Sequence, residues 1–370
     1  MTSFFFSPLI MKLPVLTLLS LSCFHFSHSF TPRYNSIFSF GNSLADTGNG
    51  LITSAQQSPG IGRLPYGMTF GRPTGRCSDG RLVIDFIAEA VGLPLLPPSL
   101  ASDQDFRQGA NFAVAGCTAL DSAFWEQRGL AGIFGTNDSL GVQLQWFEQL
   151  KPSLCSTVRE CKDYFGKSLF VLGEIGGNDY HLPLLANRTL EEVRTYVPYV
   201  IETISNTAEI LINEGAVDLV LPGAPPSGCF GVLLTLLPSP NKQDYEPQTG
   251  CLKKLNALAM YHNELLRRAI GKLLSKYPGV RIIYADYYGP VIQFVQTPER
   301  FGFGNGALIA CCGGGGPYNF NPQAWCAQPG ATVCEEPSKS IYWDGIHLTE
   351  AAYRYIAPGW LSAWSHAKVH

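Results

Sequence analysis

The sequence predicts an α/β fold in which one parallel sheet of five strands carries helices on both faces. Five short runs are almost continuously apolar, and apolar stripes at helical spacing lie between several of them. Hydrophobic residues make up 46% of the 370 residues and charged residues only 15%. This composition supplies a large core and excludes a disordered chain.

The predicted strands are residues 36–40, 109–114, 168–172, 217–221 and 280–284. They are apolar along nearly their whole length, as parallel strands covered on both faces are. In such a sheet, ligands bind beyond the carboxyl ends of the strands. We therefore expect the functional residues in the loops that follow the strands.

The helical stripes predict helices near residues 81–91, 141–150, 190–211 and 252–273. Thr189 and Glu192 have the spacing of a capping box at the start of the third helix. Pro198 predicts a kink or a break in that helix. Two segments outside this frame, residues 227–250 and 302–337, are predicted to be long ordered loops that border a site.

The N-terminus has the pattern of a secretory signal. Met11 and Lys12 precede an apolar run of roughly a dozen residues, which is too short to span a membrane. Small residues at Ser27 and Ser29 predict cleavage near Ser29. The sequence thus predicts a signal peptide over residues 1–29 and a single mature domain over residues 30–370, with a retained membrane anchor as the alternative.

Cysteine content also indicates an oxidising compartment. Ten of the eleven cysteines lie after the predicted signal peptide, and an even number there favours disulfides. A zinc site would need regular CxxC pairs with a histidine partner, and the sequence contains none. The expected pairs are Cys155 with Cys161, Cys229 with Cys251, and Cys311, Cys312, Cys326 and Cys334 among themselves, with Cys77 and Cys117 as candidate free thiols.

The net charge argues against two classes of partner, and two sequons agree with secretion. The formal net charge is −3 and there is no Lys/Arg run, which argues against nucleic acid and against a polybasic membrane patch. Asn137 and Asn187 each begin an N-glycosylation sequon, consistent with secretion.

The strongest chemical signal follows the first predicted strand, in the run Phe40-Gly41-Asn42-Ser43-Leu44. Ser43 lies just past the strand, and we expect it at the start of a helix, where the N-terminus favours developing negative charge. The segment is not the GxSxG elbow of α/β-hydrolases. By itself it is equally consistent with a helix N-cap in a surface turn.

Three further signals complement Ser43. Asp344 precedes His347 by three residues, so its carboxylate can orient one ring nitrogen while the other faces a substrate. Asn178 follows the third strand and Gly116 the second, and a side-chain amide and a backbone N–H are donors that stabilise an oxyanion. Each pattern alone is weak, but their placement at one sheet edge favours a catalytic site.

Other polar residues receive simpler interpretations. His262 falls on the apolar stripe of a helix and is predicted to be a core histidine. His181 either lines the pocket or faces solvent. Asp46 is expected to cap or bond the local turn after Ser43.

These blocks, with the run Cys311-Cys312-Gly313-Gly314-Gly315-Gly316-Pro317-Tyr318-Asn319 and the segment from Trp343 to Thr349, resemble the plant GDSL esterase/lipase family of the SGNH hydrolase superfamily. The resemblance spans essentially the whole mature chain. It implies a flavodoxin-like three-layer α/β/α sandwich with a five-stranded parallel sheet, the SGNH hydrolase fold. It implies neither a cofactor nor a metal.

The resemblance also implies the roles of individual residues. Ser43 would be the nucleophile, His347 the general base and Asp344 its orienting partner. The oxyanion hole would consist of the Ser43 N–H, the Gly116 N–H and the Asn178 side chain. One position departs from the family, because Asn42 stands where the family has Asp; we expect Asn42 to replace most of the hydrogen bonds of that Asp.

The sequence therefore predicts a secreted carboxylic ester hydrolase that acts through a Ser-His-Asp triad and an acyl-enzyme on a small-molecule ester. We expect a monomer without a stable membrane anchor, in the cell wall or the vacuole. An acylated plant metabolite is one candidate substrate, and neither the substrate nor its acyl chain can be read from the sequence. An acyltransferase using the same site, and a catalytically weak binding or defence protein, are the alternatives.

Overall fold

A computed structural model describes residues 1–2, 34–53 and 60–366, and a parallel five-stranded sheet lies at its centre. The strands lie in the order β2-β1-β3-β4-β5, with β1 beside both β2 and β3. Their bounds are β1 (Ser36–Phe40), β2 (Gly109–Asn111), β3 (Ser168–Leu172), β4 (Asp218–Pro222) and β5 (Arg281–Ala285). The predicted five-stranded parallel sheet is confirmed.

Every residue of β1, β2, β3 and β4 is buried, which fits a sheet covered on both faces. The second strand is shorter than predicted and ends at Asn111 instead of residue 114. The Oδ1 atom of Asn111 accepts the Ala113 N–H at 2.9 Å and closes a turn there. Phe112 still donates a backbone hydrogen bond to the Ser39 carbonyl in β1, and Val114 donates to the Gly41 carbonyl just after it, so this loop follows β1 closely.

Helices cover the sheet. Their bounds within the described residues are α1 (Asn49–Thr53), α2 (Val83–Ala90), α3 (Ser122–Glu126), α4 (Leu140–Leu150), α5 (Val158–Phe165), α6 (Gly177–Leu185), α7 (Leu190–Arg194), α8 (Val197–Glu214), α9 (Gly231–Leu236), α10 (Lys253–Lys276), α11 (Tyr288–Gln296) and α12 (Glu350–His366). Helix α8 packs against α4 and α10, while α12 packs against α2. Both α10 and α12 contact β5. The predicted helices near residues 81–91, 141–150 and 252–273 are present as α2, α4 and α10.

The predicted helix over residues 190–211 consists of two helices, α7 and α8. Pro198 lies in the first turn of α8, where its missing N–H costs no intrahelical hydrogen bond. The predicted break is therefore confirmed. Thr189 caps α7, because its side chain accepts the Glu192 N–H.

Four disulfides join the described cysteines as predicted. They are Cys155–Cys161, Cys229–Cys251, Cys311–Cys334 and Cys312–Cys326, whereas Cys77 and Cys117 are buried free thiols. The two segments predicted to be loops contain regular structure as well. Helix α9 lies in the first, and the second holds a short antiparallel pair of β6 (Cys312–Gly313) and β7 (Thr332–Val333).

The predicted signal peptide lies outside the described residues, apart from Met1 and Thr2, as does Cys23. The cleavage near Ser29 therefore stays a prediction. Within the described part of the chain, no helix is both long and apolar enough to cross a bilayer.

Aromatic packing anchors β1 to the helices on one face of the sheet. The ring of Phe38 lies 5.5 Å from that of Phe147 in α4 and 5.7 Å from that of Phe165 in α5. Phe170 of β3 is 5.3 Å from Phe38 as well. This buried cluster fixes the strand whose end carries Ser43.

We predict that Leu211→Ala lowers the free energy of unfolding by about 2–5 kcal/mol, because it leaves a cavity between α8 and the core. Leu211 has 0% exposure, whereas Leu95, the matched control, is 40% exposed. Leu95→Ala is expected to cost about 1 kcal/mol or less. Urea denaturation of both variants measures the difference, and equal losses would contradict this account of the core.

Candidate active site

The candidate site lies beyond the carboxyl ends of β1, β2 and β3. The chain runs from β1 to β2 on one side, and β3 lies on the other side of β1. Strand order therefore reverses between β1 and β3, and α/β sheets bind their ligands at this point. Ser43 follows β1 and Asn178 follows β3, so both lie at this crevice.

Ser43, His347 and Asp344 lie in one hydrogen-bonded row, although 304 positions separate the first two in the chain. The distance between His347 Nε2 and Ser43 Oγ is 2.8 Å. His347 Nδ1 lies 2.9 Å and 2.8 Å from the two carboxylate oxygens of Asp344. Because an ionised carboxylate only accepts, Nδ1 carries the proton and Nε2 is free to accept from Ser43.

Asp344 is buried but well provided with donors. Its Oδ1 accepts the backbone N–H groups of Ile346 and His347, and its Oδ2 accepts the Tyr66 hydroxyl at 2.6 Å. Burial alone would raise the pKa of Asp344, but the charge and hydrogen bonds of His347 and the Tyr66 hydroxyl outweigh it and lower the pKa. Tyr66 belongs to no motif, so no pattern in the sequence indicates its role.

The turn that carries Ser43 is held by Asn42. The Asn42 side-chain oxygen accepts the Leu44 N–H at 3.0 Å, and its backbone carbonyl accepts from Ala45 and Asp46. The prediction that Ser43 starts a helix is wrong, because α1 begins only at Asn49. Side-chain bonds to backbone amides hold a turn here instead of a helix.

Gly41 joins this turn to α4. Its φ of 136° lies in a region that glycine favours, and a Cβ there would meet the Glu174 carbonyl oxygen at 3.1 Å. The buried amide of Gln143 accepts the Gly41 N–H and donates to the Gly41 carbonyl, both at 2.9 Å. Gln143 was another residue that sequence reasoning missed.

Each of the three predicted oxyanion donors keeps an N–H that makes no hydrogen bond among the described residues. The N–H groups of Ser43 and Gly116 make no hydrogen bond among the described residues. Asn178 Nδ2 donates to the Cys117 carbonyl at 2.7 Å, which orients the amide and leaves its second N–H. Gly116 is thus adjacent in sequence to the group that Asn178 binds.

Two buried carboxylates join the loops. Asp46 accepts the N–H groups of Gly48, Asn49 and Gly50 in its own turn and that of Ala115 in the loop after β2. Its predicted turn-bonding role is confirmed. Asp179 of α6 accepts the N–H groups of Ala119 and Leu120 in the same loop. Burial raises the pKa of Asp46 to about 6 and that of Asp179 to about 7, against the lowering effect of these donors.

The cleft beside Ser43 is largely apolar, and its lining includes Leu44, Ala224, Pro225, Phe230, Leu258 and Ile346. His181 also lines it, and burial lowers the pKa of His181 to about 4, so the ring is neutral at neutral pH. His262 is a core residue as predicted, hydrogen-bonded to Tyr180.

One acidic side chain, that of Glu174, lines this apolar cleft. Its Oε2 accepts Asn42 Nδ2 at 2.5 Å, and its Oε1 accepts the Gly177 N–H at 3.2 Å. Burial raises the pKa of Glu174 to about 7, although the bonds from Asn42 and Gly177 lower it. Sequence reasoning missed Glu174, although it is an acidic residue in the loop that follows β3, four residues before Asn178.

Two further points concern the predicted glycosylation sites and metal binding. Asn137 and Asn187, the predicted glycosylation sites, are exposed. Within the described residues, no cluster of three or more His, Cys, Asp or Glu side chains has the arrangement of a metal site.

A model of the GDSL-like lipase/acylhydrolase family matches residues 37–360. The chain belongs to this family. It is 52% identical over 339 residues to a GDSL esterase/lipase of Arabidopsis thaliana, covering 90% of this chain and 91% of that relative. A second Arabidopsis thaliana GDSL esterase/lipase is 48% identical over 334 residues, with 90% and 84% covered. The sinapine esterase of Brassica napus is 46% identical over 334 residues, with 89% and 86% covered.

The predicted family is thus confirmed, and this GDSL protein is a carboxylic ester hydrolase. Its Asn42 departs from the Gly-Asp-Ser block that gives the family its name. The departure leaves the turn intact, because the Asn42 oxygen still accepts the Leu44 N–H.

We predict that Glu174→Gln changes how stability depends on pH. The folded protein holds the Glu174 proton up to about pH 7, whereas an unfolded chain releases it near 4.5. Stability therefore falls as pH rises between these values, by about 3 kcal/mol. Relative to wild type, the variant should gain that amount between pH 4.5 and pH 8 in urea denaturation; a constant difference would contradict the pKa assignment.

Proposed function

We propose that this GDSL-family hydrolase is a secreted serine esterase in which Ser43, His347 and Asp344 form the catalytic triad. The observation that carries the proposal is the contact of His347 Nε2 with Ser43 Oγ at 2.8 Å, with Asp344 on the other ring nitrogen. This is the relation of nucleophile, base and orienting carboxylate that acyl transfer requires. Beside the triad, the N–H groups of Ser43, Gly116 and the Asn178 side chain can donate hydrogen bonds to the oxyanion.

In the first half-reaction, His347 Nε2 takes the proton from Ser43 Oγ as the oxygen attacks the ester carbonyl carbon. The carbonyl oxygen becomes an oxyanion, which accepts hydrogen bonds from the Ser43 N–H, the Gly116 N–H and the Asn178 side chain. The imidazolium is stabilised by Asp344, whose lowered pKa keeps it ionised. Collapse of the intermediate breaks the bond to the alcohol oxygen, which leaves with the proton from His347.

In the second half-reaction, water attacks the acyl group on Ser43 while His347 Nε2 accepts a proton from that water. The same donors bind the second oxyanion. The bond between the acyl carbon and Ser43 Oγ then breaks, and His347 returns the proton to Ser43. The products are a carboxylic acid and the alcohol.

Asn42 supports this chemistry without a charge of its own. It bonds the turn around Ser43 through its oxygen and Glu174 through its nitrogen. We therefore propose that Asn42 preserves activity despite its departure from the family's Asp. Because a relative is named a sinapine esterase, we propose an acylated plant metabolite as the natural substrate class.

Secretion rests on a separate set of observations. Four disulfides among the described residues favour an oxidising compartment, and both sequon asparagines are exposed. Residues 1–29 have the basic start, short apolar run and small-residue site of a signal peptide. We propose that the mature chain begins at Phe30 and carries glycans at Asn137 and Asn187.

We predict that Ser43→Ala lowers kcat for short-chain p-nitrophenyl esters by several orders of magnitude, because the acyl acceptor is removed. Ser102→Ala is the matched control, because Ser102 is exposed and does not line the cleft. This variant should hydrolyse the esters as fast as wild type. Initial rates of the purified, folded variants provide the measurement. Equal rates for wild type and Ser43→Ala would refute the proposed mechanism.

We predict that the protein secreted by plant cells begins at Phe30 and loses mass on enzymatic deglycosylation. Asn137→Gln and Asn187→Gln should each remove one glycan, since both sequons lie at exposed positions. N-terminal sequencing and intact mass measure these features. An unprocessed N-terminus on a cell-retained protein would contradict secretion.

A further inference from the structure

We propose that a groove beside α3 binds the first N-acetylglucosamine of a glycan carried by Asn137, and that the bound sugar stabilises the segment next to Gly116. The inference rests on the glycosylation of Asn137 included in the proposed function, and it deepens that proposal by giving the sugar a place in the fold. It starts from a cavity that the proposed mechanism leaves unused.

The groove lies between α3 and the residues that precede α4. Its volume is about 320 Å³, which is in the range of pockets that bind small ligands. It shares no lining residue with the cleft beside Ser43. Polar and aromatic residues line it together, among them Ser122, Trp125, Phe134, Thr136 and Asn137. A sugar ring, which has an apolar C–H face and a polar rim, matches such a lining.

Phe134 provides the apolar surface for the sugar. Its ring centroid lies 4.7 Å from that of Trp125, with 37° between the two planes. Trp125 is 2% exposed, whereas Phe134 is only half-buried. The buried indole therefore supports the Phe134 ring, and part of that ring stays accessible to a ligand. Contact with the apolar face of a sugar removes this surface from water.

The polar lining suits the substituents of this sugar. Ser122 and Glu126 line the groove and are exposed at its edge. A hydroxyl and a carboxylate both accept hydrogen bonds. N-acetylglucosamine carries hydroxyl groups and an acetamido N–H, which are the donors that such acceptors bind.

Asn137 is the reason why a glycan, and not a free ligand, fits this groove best. Asn137 lines the groove and is exposed. N-glycosylation attaches the first sugar to the asparagine side chain, so this sugar begins at the groove. A tethered ligand has a high effective concentration, and contacts too weak to hold a free sugar are then sufficient. Asn187, the second sequon asparagine, does not line the groove, so its glycan provides an internal comparison.

The sequon segment is connected to the loop that carries Gly116. The Leu140 N–H donates to the Thr118 carbonyl at 3.0 Å, and Thr118 lines the groove as well. A Cβ on Gly116 would lie 4.0 Å from Thr136 Cγ2. Because the groove exists only in the folded chain, a sugar bound there stabilises the folded state and restrains this segment.

The first measurement compares how fast the two glycans are trimmed. The protein is secreted by plant cells treated with kifunensine, which leaves oligomannose glycans that endoglycosidase H cuts between the two core N-acetylglucosamines. Mass spectrometry of the glycopeptides follows each site with time. In the folded protein we expect cleavage at Asn137 to be about tenfold slower than at Asn187, a factor equivalent to about 1.4 kcal/mol. After denaturation the two rates should be equal.

A pair of variants distinguishes binding in the groove from simple crowding around Asn137. Phe134→Ala removes the apolar surface and should abolish the slow cleavage at Asn137. Tyr355→Ala changes an exposed aromatic residue of α12 that does not line the groove, so it should leave the slow cleavage unchanged. Slow cleavage that persists in folded Phe134→Ala would overturn the inference.

Thermal unfolding provides an independent measurement that decides even if Phe134→Ala does not fold. Asn137→Gln should lower Tm by about 2–4 °C, whereas Asn187→Gln should lower it by about 1 °C or less. Protein trimmed by endoglycosidase H keeps one sugar at each site. Its Tm should equal that of the untrimmed protein, because the first sugar is the one that binds.

Equal trimming rates at the two sites of the folded protein, or equal losses of Tm in the two asparagine variants, would overturn this inference and leave the proposed serine esterase standing. A higher kcat/KM of Asn137→Gln for p-nitrophenyl esters at unchanged Tm would show that the groove admits substrate, and would overturn the inference as well. A secreted protein without a glycan at Asn137 would overturn both the inference and the proposed glycosylation, whereas Ser43-dependent hydrolysis would persist.

Discussion

The site depends on one constraint, namely that the loops after β1, β2 and β3 are tied together by buried carboxylates. Asp46 binds the Ala115 N–H across the gap between the first two loops, and Asp179 binds the Ala119 and Leu120 N–H groups from α6. When the carboxylate is ionised, its bond to a backbone N–H is stronger than a hydrogen bond between neutral groups. Ser43, Gly116 and Asn178 occupy fixed positions because their loops do.

Within this frame, the carboxyl groups have different surroundings and therefore different tasks. Asp344 has three protein donors and His347 beside it, so its pKa falls despite burial. Glu174 has two donors in an apolar cleft, so burial raises its pKa to about 7. Such a separation of pKa values is the usual way in which one site assigns separate roles to acids of the same type. Here it keeps Asp344 ionised beside the imidazole, whereas Glu174 holds its proton up to about pH 7.

Much of this organisation could be predicted from the sequence. The strands were predictable because buried parallel strands are continuous apolar runs. The pairing of Asp344 with His347 was predictable because His347 follows Asp344 by three positions in one segment. The start of a helix at Ser43 was predicted wrongly, since hydrogen bonds from Leu44 and Ala45 to Asn42 are local and leave no periodic pattern. Tyr66 and Gln143 reach the site from distant segments, so only the folded chain places them there.

The central claim is that Ser43 is the activated nucleophile of this site, and covalent labelling tests it most directly. The protein is treated with diethyl p-nitrophenyl phosphate, which transfers its phosphoryl group to an activated serine and releases p-nitrophenol. Peptide mass spectrometry should then find one diethylphosphoryl group per chain, on Ser43, with esterase activity lost in proportion to labelling. Full loss of activity with the label on another residue, or full labelling of Ser43 with activity retained, would contradict the account.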